Sequence, residues 1–176
     1  MNKIKTKFKS LFLVKGLTHY DNRGFFRELV YQKFVPKKIV FTVISKSKKN
    51  ILRGLHFQTV NPQGKFLCVL KGKIFDVAVD LRKNSKTYLK HFSCELSDKN
   101  NTSIYIPPGF AHGFYCFEKE NIVLYGSTNY RHKGSEKGII WNDKDLNIKW
   151  PRKKPTLSKK DKLNLSLKEY LSSNAK

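Results

Sequence analysis

The run Lys71 to Arg82, KGKIFDVAVDLR, limits what this chain can fold into more than any other stretch. Side chains along a strand alternate between faces, so Phe75, Val77, Val79 and Leu81 share one side while Ile74, Asp76, Ala78 and Asp80 share the other. One face is wholly apolar; the other mixes apolar groups with two acids. A strand of this kind suits a barrel that has a greasy outer packing layer and a partly polar interior. By the same parity, His56 and Gln58 of ILRGLHFQ share one face, and Arg53, Leu55 and Phe57 the opposite one.

Short β-branched and aromatic runs, broken by Gly, Asn and Pro, fill the rest of the first three quarters of the chain. The expected strands cover 10–14, 39–45, 51–58, 65–70, 74–81, 88–96, 103–106, 112–117 and 122–129. So many strands at this spacing imply an all-β sandwich or barrel. After Trp150-Pro151 the pattern changes. Ser158 stands three residues before Asp161, a capping spacing, and Leu163, Leu167, Tyr170 and Leu171 follow at helical intervals, which predicts one terminal helix over 158–171 within a C-terminal helical segment 157–176. No linker or internal repeat divides the chain, so residues 1–176 read as one domain.

The formal charge of +23 invites a nucleic-acid reading. However, the cations are mostly Lys scattered along the whole length and Arg occurs only six times, so a solvated surface or a small anionic substrate such as a diphosphate fits better. Cys68, Cys94 and Cys116 are widely spaced, with no CxxC, which points away from disulfides and zinc and toward a cytoplasmic home. The apolar run Leu11 to Val14 is too short for a membrane span and reads as a first strand.

Chemistry concentrates in two stretches. IPPGFAHGF carries Pro107, Gly109 and His112 in a Pro-x-Gly-x-x-His spacing, the form of the second cupin motif, in which a tight turn presents a histidine to a barrel interior. Metal-binding cupins place a His-x-His pair on their first motif, whereas this chain reads His56-Phe57-Gln58, so no bound metal is expected. A lone strand histidine is usually structural. His56 and His112 stand out by their company: Arg53, Lys65, Asp76 and Asp80 would be costly to bury together without a purpose.

The ordered segments DNRGFFRE from Asp21, ILRGLHFQ from Ile51, QGKFLCVLKGKIFDVAVDLRKNSKTY from Gln63, IYIPPGFAHGF from Ile104, LYGSTNY from Leu124 and GIIWNDKDLNIKWP from Gly138 resemble the dTDP-4-dehydrorhamnose 3,5-epimerase family. That resemblance implies a cupin-type jelly-roll antiparallel β-barrel with a short C-terminal helix, and a cofactor-free epimerase acting at C3, C5 or both of a nucleoside-diphosphate-4-keto-6-deoxyhexose. It implies His56 as general base with Asp161 as its carboxylate partner, Tyr125 as general acid, and Lys65, with Asp76 close by, as the stabiliser of an enolate. It further implies that Arg53, His112 and Tyr130 line the substrate site, and that Arg23, Phe26 and Glu28 reach the nucleotide of a neighbouring subunit in a homodimer. Taken without the resemblance, Tyr125 is an interior aromatic, Asp161 a helix-start acid, Lys65 a surface lysine and Phe26 plain core.

These residue types suit the implied reaction. A proton next to a ketone is weakly acidic, so its removal needs a base poised near neutral pH and a cation where the oxygen gathers charge. Two alternatives share the scaffold: a cupin 3,4-ketoisomerase and a silent sugar-nucleotide or polysaccharide-binding module. Tyr125 together with the acid of LSKKD favours epimerisation over the first, and His56, Tyr125 and Lys65 together argue against the second. One departure stands out. Where the family pattern shows Gln-x-Asn-x-Ser, this chain reads Phe41-Thr42-Val43-Ile44-Ser45, and Arg131 follows Tyr130 where relatives often carry a second aromatic.

Overall fold

The computed structural model describes residues 1–173. Its strands are β1 (Asn2–Lys5), β2 (Phe12–Lys15), β3 (Thr18–Asp21), β4 (Gly24–Arg27), β5 (Phe41–Ser47), β6 (Leu52–Gln58), β7 (Lys65–Lys71), β8 (Lys73–Asp80), β9 (His91–Ser97), β10 (Thr102–Ile106), β11 (Phe110–Cys116), β12 (Asn121–Ser127) and β13 (Glu136–Gly138), followed by α1 (Lys159–Lys162) and α2 (Leu167–Ser173). One sheet runs in the order β1-β2-β10-β7-β12-β5, a second in the order β13-β6-β11-β8-β9, and β3-β4 form a separate hairpin. Pairing within each sheet is antiparallel.

Alternation along the strands divides the apolar residues into three layers. Leu67, Val69, Ile104, Ile106 and Val123 of the first sheet meet Ile74, Ala78, Leu96, Phe110 and Phe114 of the second, forming a core between the sheets. On the far side of the second sheet, Leu55, Phe57, Val77, Val79 and Ala111 are covered by Ile139, Leu146 and Leu167 of the C-terminal segment. On the far side of the first, Phe12, Val14, Phe66 and Tyr105 are covered by Val35, with Phe34 and Ile39 packed against them. The two-faced strand read in KGKIFDVAVDLR is therefore β8: Ile74 and Ala78 face the intersheet core, while Val77 and Val79 face the outer layer. Removing side chains of this size from water contributes about 1.5–3 kcal/mol each, which is what holds the three layers together.

The acid face of β8 serves two purposes. Asp76 turns to His112, and Asp80 closes a polar knot at the strand's end. Its carboxylate takes the Arg82 guanidinium at 2.8 and 2.7 Å and the hydroxyls of Ser85 and Thr87 at 2.6 Å each. The loop so gathered explains why β9 begins at His91 rather than Tyr88, where the alternation places it: Lys90 N–H bonds back to Thr87, and Leu89 turns with φ 60°. The strands β1, β3, β4 and β13 are additional to those expected from the sequence.

The expected single helix over 158–171 is two helices. Ser158 caps α1, accepting the Asp161 N–H at 3.0 Å as its spacing predicts. The chain then leaves the helix at Leu163, whose side chain is exposed, and Leu165 forms a parallel bridge with Ile139. A second capping box restarts the helix: Ser166 Oγ accepts the Glu169 N–H at 3.2 Å while the Glu169 carboxylate accepts the Ser166 N–H at 2.7 Å. Residues 174–176 of the expected helical segment lie outside the described residues.

Candidate active site

At one end of the intersheet layer the apolar residues give way to polar ones, and a cavity of about 620 Å³ opens there. This is within the size range of small-ligand sites. The second sheet contributes Arg53 and His56 of β6 and His112 of β11; the first contributes Lys65 of β7, Tyr125 of β12, and Phe41 and Val43 of β5; α1 contributes Lys160 and Asp161.

Local structure aims each group. Gly109, with φ +86°, turns the chain into β11 so that His112 faces between the sheets with Phe110 and Phe114. His112 and His56 are register partners across the β11–β6 pair. On the opposite wall Ser127 pairs with Lys65 and Tyr125 with Leu67, so Lys65 and Tyr125 share the inward face of the first sheet.

Arg53 departs from the sequence parity. It was expected opposite His56, with Leu55 and Phe57, yet it lines the cavity beside His56. The cause is a register shift: His112 pairs with His56 but Phe114 pairs with Arg53, so residues 53–56 of β6 run alongside only 112–114 of β11. Gly54 makes the bulge feasible. Its φ is +126°, and a Cβ there would lie 2.5 Å from Gly113 Cα. Arg53 is then anchored by a 2.9 Å bond from Nε to Ser47 Oγ.

His56 Nε2 lies 2.5 Å from Asp161 Oδ1, joining the second sheet to α1. Burial works to raise the Asp161 pKa, but the hydrogen bond and charge of His56, with the Ser158 hydroxyl and the Gly54 N–H, outweigh it and hold the carboxyl below its ordinary value of 3.8. An ionised carboxylate only accepts, so the shared proton resides on Nε2 and Nδ1 is the ring nitrogen not engaged by Asp161. His112 makes a parallel contact, Nε2 to Asp76 Oδ2 at 2.7 Å, deep in the layer, while Asp76 Oδ1 has no hydrogen-bond partner. Lys65 stands where burial pulls its ammonium down to about 8, against the attraction of Asp76 and Glu136. It remains a cation at neutral pH, but one with a proton loosely enough held to respond to mild base.

The cavity thus brings together His56, Asp161, Tyr125, Lys65, Arg53 and His112, with Asp76 directly behind His112. It does not bring in Arg23, Phe26 and Glu28. Arg23 closes the β3–β4 turn onto Asp21 at 2.6 Å, and Phe26 projects on the hairpin with 66% of its surface exposed. Tyr130 does not line the cavity; its ring lies parallel to that of Phe41, which does, with centroids 5.9 Å apart. Sequence reasoning did not single out Phe41, Lys160 or Glu136 as site residues. Glu136 sits on β13, where it accepts Arg131 Nε at 2.5 Å and Lys160 Nζ at 3.0 Å; only the adjacency of Arg131 to Tyr130 hinted at this rim. Among the described residues no three His, Cys, Asp or Glu side chains converge as a metal cluster would require.

The arrangement can do acid–base work on a bound carbon acid from two sides. The model of the dTDP-4-dehydrorhamnose 3,5-epimerase family matches residues 5–169. A protein of Shigella flexneri described by the same name is 42% identical over 169 residues, covering 92% of this chain and 93% of its own. A Legionella pneumophila 3,5-epimerase, solved in complex with dTDP-4-keto-L-rhamnose, superposes with a TM-score of 0.91 at 37% identity, covering 95% of this chain and 93% of its own. A Bacillus anthracis 3,5-epimerase, solved with TDP and PPi bound, superposes with a TM-score of 0.90 at 37% identity, covering 94% of this chain and 99% of its own.

Proposed function

The chain belongs to the dTDP-4-dehydrorhamnose 3,5-epimerase family, and from that premise we propose that its cavity epimerises a dTDP-linked 4-keto-6-deoxyhexose at C3, C5 or both, with dTDP-4-dehydro-6-deoxyglucose as substrate and dTDP-4-dehydrorhamnose as product. The observation that supports this reading most is the opposition of His56, backed by Asp161, to Tyr125 and Lys65 on the facing sheet.

In this reading His56 Nδ1 takes the proton from the carbon next to the ketone. The C–H electron pair moves into the ring carbon–carbon bond, and the carbonyl pair moves onto oxygen, where the Lys65 ammonium meets the developing charge. Asp161 stabilises the imidazolium so formed. The enolate collapses by taking a proton from the Tyr125 hydroxyl on the other face, which inverts the carbon. Arg53 and His112 hold the sugar diphosphate. His112 is itself held by Asp76.

We read the two sheets as a cupin-type jelly-roll barrel. The β3–β4 hairpin, with Tyr20, Phe25 and Phe26 all more than half exposed, serves in a homodimer, where Arg23, Phe26 and Glu28 complete the cavity of the partner. An active monomer in sedimentation would remove that part of the reading. The three cysteines are unpaired thiols, which accords with a cytoplasmic location.

The decisive test is proton NMR of dTDP-4-keto-6-deoxyglucose with the enzyme in deuterated water. Deuterium is expected at C3, C5 or both, with inversion. Incorporation at neither carbon would overturn the function.

A further inference from the structure

Two short cationic runs meet beside the cavity. Lys48 and Lys49 end two residues before Ile51, Arg152, Lys153 and Lys154 end two residues before Thr156, and a parallel bridge joins Ile51 to Thr156. Backbone bonds fasten this junction: Leu52 N–H to Thr156 O at 3.0 Å, Thr156 N–H to Asn50 O at 2.8 Å, and Asn50 N–H to Cys116 O at 3.0 Å. Both bridge residues line the cavity, as do Leu157 and Ser158 just beyond. The turn that carries Lys48 also reaches Arg53, whose Nε donates to Ser47 Oγ at 2.9 Å and whose Nη2 donates to Lys46 O at 3.3 Å. The charged runs are therefore continuous with one wall of the cavity and with its arginine.

These five cations have no counter-charge. Lys48, Lys49, Arg152, Lys153 and Lys154 are all exposed, and none forms an ion pair among the described residues. The acids around them are spent on other groups: Asp161 meets His56, Glu136 holds Arg131 and Lys160, and Glu120 holds Lys46 and Lys71. Glu118, on the β11–β12 turn, is followed directly by Lys119. Like charges crowded onto converging runs repel one another, and an arriving anion relieves that repulsion. By contrast, the exposed Lys83 and Lys86 sit on the loop before β9, the edge strand farthest from β13, and neither lines the cavity.

Resting on the nucleotide-sugar reading above, we propose that Lys48, Lys49 and Arg152 to Lys154 form a steering surface that draws the anionic diphosphate of the substrate from solution toward Arg53. The surface raises the rate of association and not the strength of the final grip. Exposed cations act over a Debye length, about 8 Å at physiological ionic strength, so groups that never touch the bound ligand still bias its approach. A field of this kind raises association rates by about 10- to 10³-fold, and salt removes the gain. Dissociation is governed by the contacts made inside the cavity and is left nearly unchanged.

Stopped-flow mixing of the full chain with a fluorescently labelled dTDP, at ionic strengths from about 0.01 M to about 1 M, tests this. Association is expected to slow by about tenfold or more across that range while dissociation changes little. The double variant Lys153→Glu, Lys154→Glu should slow association by about fivefold or more at the low end and converge on the unaltered chain at the high end. Its dissociation rate should stay within about twofold, which a damaged cavity would not allow. The double variant Lys83→Glu, Lys86→Glu makes the same change in net charge away from the cavity and should slow association by less than about twofold. The proposal is overturned if the two variants slow association alike, which would credit the charge of the whole surface. It is also overturned if the change at Lys153 and Lys154 acts on dissociation instead, which would make them ordinary ligand contacts. A labelled dTDP that binds at no ionic strength removes the nucleotide-sugar reading itself, whereas binding at a salt-independent rate removes the steering surface alone.

Discussion

His56 and Asp161 meet at 2.5 Å although 105 residues separate them, one on an inner strand of the second sheet and the other on a four-residue helix laid against it. The contact orients the imidazole with Nε2 toward the carboxylate. His56→Ala is expected to lower deuterium exchange at the sugar carbons by about 10³-fold or more while sparing nucleotide affinity, because a positioned general base acts in the transition state. Asp161→Asn, which removes charge but keeps shape, should cost about 10²-fold. Normal exchange in His56→Ala would show that the base lies elsewhere.

Tyr125→Phe separates the two faces. With base intact and acid missing, the proton should still leave to His56 and return from the same side. Deuterium then washes in with retention, while net inversion slows by about 10²-fold or more. Inversion at the undiminished rate would assign the acid to another group.

Lys65 is expected to set the alkaline limit. In the proposed reaction its ammonium meets the enolate only while charged, and burial brings its pKa down to about 8, so activity should fall as pH rises through that value. The Asp76 carboxylate raises that pKa, and Asp76→Asn is therefore expected to move the alkaline limb of the kcat profile to lower pH. A limb that stays in place, or moves upward, would contradict the coupling.

Gly54→Ala probes the bulge that brings Arg53 inward. The new Cβ would meet Gly113 Cα at 2.5 Å in a backbone conformation with φ +126°, and the variant should lose about 2 kcal/mol or more in denaturant unfolding. An unchanged midpoint would mean that the strand relaxes into regular pairing.

What was legible in the sequence was what local periodicity dictates. The two faces of β8 follow from alternation alone, and both layers accept them as read. Ser158 is legible as a cap for the same reason: the bond it makes spans three residues. Arg53 was misplaced because parity holds only while the register does, and the slip at Gly54 is set by the approach of Gly113 from another strand. The second capping box, Ser166 to Glu169, was present but hidden beneath a leucine spacing that continues through it. Asp161 and Tyr125 carry no local mark of a shared cavity, since what unites them is the packing of α1 and β12 around it; family resemblance named them, not periodicity. Phe41 and Glu136 went unremarked as site residues because an aromatic and an acid on short strands look like core and surface until the rim is assembled.

The helix α1 is fastened on both flanks. Before it, Leu52 N–H bonds to Thr156 O at 3.0 Å and Thr156 N–H to Asn50 O at 2.8 Å; after it, Ile140 N–H bonds to Leu165 O at 2.8 Å. Every strand of both sheets is already in hand by Gly138, yet the segment beyond it supplies Ile139, Leu146 and Leu167 to the outer apolar layer and Thr156, Ser158, Lys160 and Asp161 to the cavity lining. A chain cut short between Gly138 and Asp161 would therefore lose one wall of the cavity together with the carboxylate that meets His56.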